Sequence, residues 1–105
     1  MKTVRLPLLS ETEFRDKQII PLAVLQGWTC YFTWRSDHSP RGWVDLVLIR
    51  PPRALFRELK RDTGRATPAQ RECLARLQAC GLDAAIWRPR DWATIVHTLS
   101  REGTG

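Results

Sequence analysis

Residues 44–61 read VDLVLIRPPRALFRELKR, and the way this stretch folds decides the rest. Residues 44–49 are an apolar run with one charge in it, Asp45, and read as a buried strand. Pro51-Pro52-Arg53 breaks the run, and residues 54–61 follow as a second strand. If the two strands pair antiparallel about a reversal centred between Pro51 and Pro52, partners are residues whose numbers total 103. Ile49 then faces Ala54, Val47 faces Phe56 and Asp45 faces Glu58. Cross-strand partners point to one face with Cβ atoms about 4.5–5.5 Å apart. Lys60, two residues beyond Glu58, shares that face. A slip of one residue would undo the arrangement.

Two carboxylates held opposite each other repel, and burial of either is costly. A divalent cation removes both penalties, and all-oxygen ligands suit Mg²⁺ or Mn²⁺. A lysine beside such an ion could orient or activate a water and stabilise charge on a phosphate. Lysine is a compact charge whose pKa can be moved, whereas arginine's cannot. The plain alternative is a solvated Asp45 at a strand end and a solvent-facing Glu58 and Lys60. D-x12-E-x-K is a short pattern that also arises by chance, and the apolar setting of Asp45 is what sets this instance apart.

Outward from the hairpin, the remaining elements follow. Ser10 with Glu13 has the form of a capping box, so a helix over 11–26 is predicted, kinked or split by Pro21 and ended by Gly27. Residues 28–34 (WTCYFTW) are aromatic and β-branched and read as a strand. Residues 35–42 (RSDHSPRG) form a polar loop. Thr67-Pro68-Ala69-Gln70 opens a helix, with Thr67 as N-cap and Gln70 as its reciprocal partner. Its apolar stripe is Cys73, Leu74, Leu77 and Cys80, taken as a buried face. A strand over 82–87 and a final helix over 91–100, with Trp92, Ile95, Val96 and Leu99 on one face, complete an α-β-β-β-α-β-α order. That order predicts an α/β layered sandwich with a mixed sheet flanked by helices.

The set G-W-V-D-L-V-L-I-R-P-P (42–52), F-R-E-L-K (56–60), Gly64, Q-R-E-x-L-x-x-L (70–77), Gly81 and W-R-P (87–89) resembles the VRR-NUC family, a branch of the PD-(D/E)xK nuclease superfamily. The resemblance covers nearly the whole chain, from Glu11 to Leu99. It implies a restriction-endonuclease-like α-β-β-β-α-β core with an added C-terminal helix. It also implies a metal-dependent endonuclease that hydrolyses phosphodiester bonds in DNA, with Mg²⁺ or Mn²⁺ as cofactor. Asp45 and Glu58 become metal ligands and Lys60 the catalytic lysine. Gln70 matches a glutamine that orients site groups, besides its reading as a cap. The N-terminal helix would supply a further acid from Glu11, Glu13 or Asp16, of which Glu13 is favoured although it also explains the cap at Ser10. The proline that precedes the aspartate in the family is Val44 here; it shapes backbone and is not a ligand. Stand-alone members resemble phage-borne nucleases acting on branched or junction DNA as homodimers, so such DNA and a second copy are implied partners.

Length and composition agree with this. The chain has 105 residues, which suits one small domain, with 1–9 and 102–105 expected to fray. Seventeen Lys+Arg against 11 Asp+Glu leave a net charge of +6, and only Lys2, Lys17 and Lys60 of the cations are not arginine. An arginine-rich surface suits a polyanion. Arg35, Arg41, Arg61 and Arg65 are the candidates for DNA-backbone contacts, and His38 shares the loop with the first two. Of the five tryptophans most are expected in the core, with Trp43 the candidate for a substrate or dimer contact. No run approaches the ~20 apolar residues of a membrane span, and no signal peptide is evident. Three cysteines without C-x-x-C spacing argue against a disulfide framework and a structural zinc site, and point to the cytoplasm. The reading from another class is a non-catalytic DNA-binding or assembly module that retains the fold.

Overall fold

The structure is a computed structural model that describes residues 9–33 and 40–100. Its N-terminal helix starts where the capping box is. The Glu13 N–H donates to Ser10 Oγ at 3.1 Å, and the Ser10 N–H donates to Glu13 Oε1 at 3.4 Å. The helix then runs as α1 (Glu11–Glu13), a π-helical turn (Phe14–Ile19) and α2 (Ile20–Leu25). The helix expected to be kinked or split by Pro21 is divided at Ile19–Ile20, immediately before that proline, which lacks the N–H a continuous helix would use. The π turn has a packing reason: its i→i+5 repeat lets Phe14 and Ile19, five apart and both fully buried, face the core together.

Four strands follow: β1 (Thr29–Phe32), β2 (Leu46–Arg50), β3 (Arg53–Leu59) and β4 (Asp83–Trp87). They form one mixed sheet in the order β1-β2-β3-β4. β1, β2 and β3 are antiparallel neighbours, and β4 is parallel to β3. The parallel pair requires a crossover, which is helix α3 (Pro68–Ala79). The β2–β3 register is the one the hairpin predicts: Val47 pairs Phe56, Ile49 pairs Ala54, and the ladder ends at Leu46–Arg57. A 3₁₀ turn (Pro89–Asp91) leads into α4 (Trp92–Leu99). The architecture is thus mixed α/β. No helix among the described residues is long and apolar enough to cross a membrane.

Alternation along β2 and β3 divides the core between two faces. Leu46, Leu48, Leu55 and Leu59 join Phe14, Ile19, Trp28, Trp87, Ile95 and Leu99 on the face covered by α1–α2 and α4. Val47, Phe56 and Ile86 lie on the other face, against Leu74 and Leu77 of α3. Two predicted helix faces are corrected here. On α3 only Leu74 is buried; Cys73 and Leu77 are half-buried and Cys80 is exposed. Cys80 is the C-cap residue, beyond the last turn that meets the sheet. On α4, Val96 is 39% exposed and Thr98 is buried instead, because Ile95, Thr98 and Leu99 are the positions spaced three and four apart.

Some of the arginines serve the fold itself, and one, Arg57, is buried. Arg50 Nη1 donates to the carbonyls of Gln26 (2.9 Å) and Leu99 (3.3 Å), and its Nη2 donates to Ser100 (3.1 Å). It closes the C-terminus of α4 while stacking over Trp28, whose Nε1 also donates to the Leu99 carbonyl. Arg57, 3% exposed, donates to the Asp83 carbonyl and pairs with its carboxylate at 2.8 Å. These arginines satisfy backbone carbonyls that would otherwise be buried or capped only by water. Replacing Arg50 with Met keeps much of the stem and removes the donors. Urea unfolding of Arg50→Met should show a loss of about 1–3 kcal/mol, as expected for charged donors to carbonyls. A loss within experimental error would mean that α4 does not depend on this cap.

Candidate functional site

Asp45 sits one residue before β2, where the ladder with β3 stops. Its own carbonyl accepts the Thr33 N–H at 3.0 Å, which ties it to the end of β1. Its Oδ2 accepts the Leu59 N–H at 2.8 Å. The aspartate side chain thereby replaces the next rung of the ladder and is held toward β3. Glu58, one residue beyond the last ladder pair Leu46–Arg57, projects on the α3 face and is 1% exposed. The Lys60 N–H donates to the Trp87 carbonyl at 3.1 Å, so the chain past β3 stays beside β4. That leaves the Lys60 ammonium 3.8 Å from Glu58 Oε1, with the residue only 8% exposed.

Gln70 connects α3 to this pair. Its Oε1 accepts the Thr67 N–H at 2.8 Å, completing the cap, and its Nε2 donates to Glu58 Oε1 at 3.1 Å. One amide thus both caps the helix and hydrogen-bonds Glu58. The cap needs an acceptor and the carboxylate needs a donor, so the amide has one orientation that serves both. The other Glu58 oxygen, Oε2, is buried and meets no hydrogen-bond donor. Burial, then a hydrogen bond to Asp45 that favours the protonated form, then the Asp45 charge, push the Glu58 pKa from 4.5 up to about 9; the Lys60 charge opposes this and the Glu11 charge adds to it. Cys73 on α3 also feels Glu58: burial and then that charge raise its thiol pKa.

Glu11 is the N-terminal acid whose field reaches Glu58. Glu13, the acid favoured from sequence, is engaged elsewhere: it completes the Ser10 cap and lies 3.6 Å from Lys17. Those partners hold its pKa below the usual value. Asp16 pairs with Arg15 at 2.7 Å. Glu11 was legible only as one of three acids in the first turns, because nothing local says which way a helix end is aimed. Arg41 lines the cleft beside Asp45, while Arg61 and Arg65 are exposed on the connection between β3 and α3. Arg35, His38 and Trp34 lie outside the described residues.

The site opens into a cleft of about 910 Å³, lined among others by Thr33, Arg41, Trp43, Asp45, Gln70 and Glu72. Among the described residues no group of three or more His, Cys, Asp or Glu is gathered as a metal cluster. What the structure brings together is a pair, Asp45 and Glu58, with Lys60 and Gln70 on the same Glu58 oxygen. Comparison with protein-family models, with curated proteins and with solved structures finds no match.

The raised Glu58 pKa has a sign that stability measurements can read. Below pH 4.5 the carboxyl is protonated in folded and unfolded chains alike, so it carries no penalty. Between pH 4.5 and about 9 the unfolded chain releases the proton and the folded one holds it, so folding loses stability as pH rises through that window. In EDTA, Glu58→Gln should therefore gain stability over the parent progressively from pH 5 to pH 9, followed by urea unfolding at each pH. A constant difference between the two proteins would show that Glu58 ionises normally.

Proposed function

We propose that this chain is a divalent-metal-dependent DNA endonuclease, built on a restriction-endonuclease-like core and structure-specific toward branched DNA. The observation that carries the reading is the Glu58 carboxylate: almost fully buried, beside a second carboxylate, with one oxygen lacking any donor. A carboxylate in that position calls for a proton or a cation. The donor set is hard oxygen, one atom of it is unsatisfied, and Asp45 lines the cleft, so the residues fit Mg²⁺ or Mn²⁺. Asp45 and Glu58 would hold the ion. When bound, the ion would neutralise phosphate charge and make water more acidic.

The protein's own groups do the rest. The Leu59 N–H fixes Asp45, and Gln70 fixes Glu58, so neither carboxylate must be ordered when substrate arrives. Lys60 holds a positive charge where the phosphate gains negative charge, and its N–H donors orient the attacking water. In the reaction the water oxygen bonds to phosphorus, one bridging P–O bond breaks, and the water's proton ends on the released hydroxyl. Arg41, Arg61 and Arg65 hold the DNA backbone without regard to sequence, so binding weakens steeply with salt.

The test is cleavage of branched and linear DNA with Mg²⁺ or Mn²⁺. Lys60→Ala should abolish cutting, lowering the rate by about a hundredfold or more, while DNA affinity stays near that of the parent. Asp45→Asn should lose both cutting and calorimetrically detected Mn²⁺ binding. Cutting that survives either substitution would refute the site. Absence of cutting on every DNA form, with DNA still bound, would make the chain a non-catalytic binding module.

A further inference from the structure

Trp43 stands apart from the other described tryptophans. Trp28 and Trp87 are 3% and 4% exposed, buried in the larger core, whereas Trp43 is 40% exposed. Its exposure is not looseness. The Trp43 N–H donates to the Pro40 carbonyl at 3.2 Å, and the indole packs edge-on against Phe56 with ring centres 6.3 Å apart. Gly42 makes the placement possible. Its φ is +83°, and a Cβ there would lie 2.5 Å from the Ala69 carbonyl oxygen, so only glycine lets this segment press against the first turn of α3.

The indole so held is a wall between two hollows. On one side is the cleft with Asp45 and Gln70. On the other is a second hollow of about 540 Å³, lined by Cys73, Leu77 and Cys80 of α3 and flanked by Arg41 and Arg76. Arg41, Trp43, Ala69 and Glu72 border both. A hollow of this size suits a ligand of nucleotide dimensions. Its chemistry also suits one: an aromatic face, an apolar floor, two exposed guanidinium groups for phosphate, and one carboxylate able to accept from a base amino group. A base inside a continuous duplex is stacked on its neighbours and cannot enter such a hollow, whereas an unpaired one can.

We propose that Trp43 is the stacking platform for an unpaired nucleobase adjoining the scissile bond, with that base in the hollow between Trp43 and α3 and Arg41 and Arg76 on its phosphate. This rests on the nuclease reading for DNA as the occupant of the cleft and for a cut beside the base, while the stacking itself is tested without cleavage. It names the substrate class: DNA with an unpaired nucleotide at the cut, in preference to uninterrupted duplex.

Binding measured in EDTA separates this from catalysis. The probes are fluorescein-labelled duplexes carrying one unpaired nucleotide, either thymidine or an abasic residue, and the same duplex without the bulge. The parent protein should bind the thymidine bulge about five- to a hundredfold more tightly than the abasic one, the range of a base–aromatic stack. Trp43→Leu should bind both bulges equally and keep the parent's affinity for uninterrupted duplex. Trp43→Tyr, which keeps an aromatic face, should restore the preference. A parent protein that binds thymidine and abasic bulges alike would overturn the proposal, and this arm needs no variant to fold. So would a Trp43→Leu that changes only the sedimentation of the protein, since Trp43 would then be a contact between copies. If the base preference is found but no DNA is cut with any divalent ion, the stacking site stands and the nuclease reading fails. If DNA is cut but the preference is absent, the reverse holds.

Discussion

The Glu58 carboxylate is withdrawn from water, faces a second carboxylate, and has one oxygen without a donor. Such a group destabilises the folded chain whenever it is charged, unless its surroundings compensate. Several otherwise unrelated features meet on it. The Pro51-Pro52 hairpin sets the register that brings Asp45 opposite. The first turn of α3 supplies Gln70, and the turn of chain past β3 supplies Lys60. The N-terminal helix brings the charge of Glu11. The segment at Gly42, pressed on α3, closes one wall of the cleft that Asp45 and Gln70 line. The α/β framework buries this one unfavourable carboxylate, while its neighbours Asp45 and Gln70 face the cleft.

The arginines divide by role. A net charge of +6 suggests a surface designed for a polyanion. Yet Arg50 and Arg57 bond backbone carbonyls in or near the core, Arg71 donates to Ala66, and Arg88 donates to the carbonyls of Arg61 and Gly64. A planar guanidinium with five donors can close several carbonyls at once while its flat face lies on an indole, as Arg50 does on Trp28. The cations beside the cleft and the second hollow, Arg41 and Arg76, are a smaller group, and they border the one exposed tryptophan among the described residues. Net charge counts both groups together, although those that bond the protein's own carbonyls differ from those that line the hollows.

The hairpin was readable because alternation and the position of two prolines determine a register without reference to the rest of the chain. The cap of α3 was readable for the same reason: Thr67 and Gln70 are three apart, and their bonds are local. The π turn was not: it puts Phe14 and Ile19, five residues apart, into a core built from strands far along the chain. Cys80 and Val96 were misplaced because a stripe drawn at helical spacing does not say where the opposing sheet ends.

The sequence by itself determined the order of elements, the hairpin register up to Leu46–Arg57, and the place of Lys60 two residues past Glu58, since each rests on spacing within a few residues or across one turn. Tertiary structure alone decided that Glu58 is buried, that Gln70 reaches it while capping its helix, that Glu11 rather than Glu13 acts on it, and that Trp43 stands between two hollows. Burial, electrostatic field and cavity shape are properties of everything that surrounds a side chain. They are set only when α3, the N-terminal helix and the segment at Gly42 pack around the end of the hairpin.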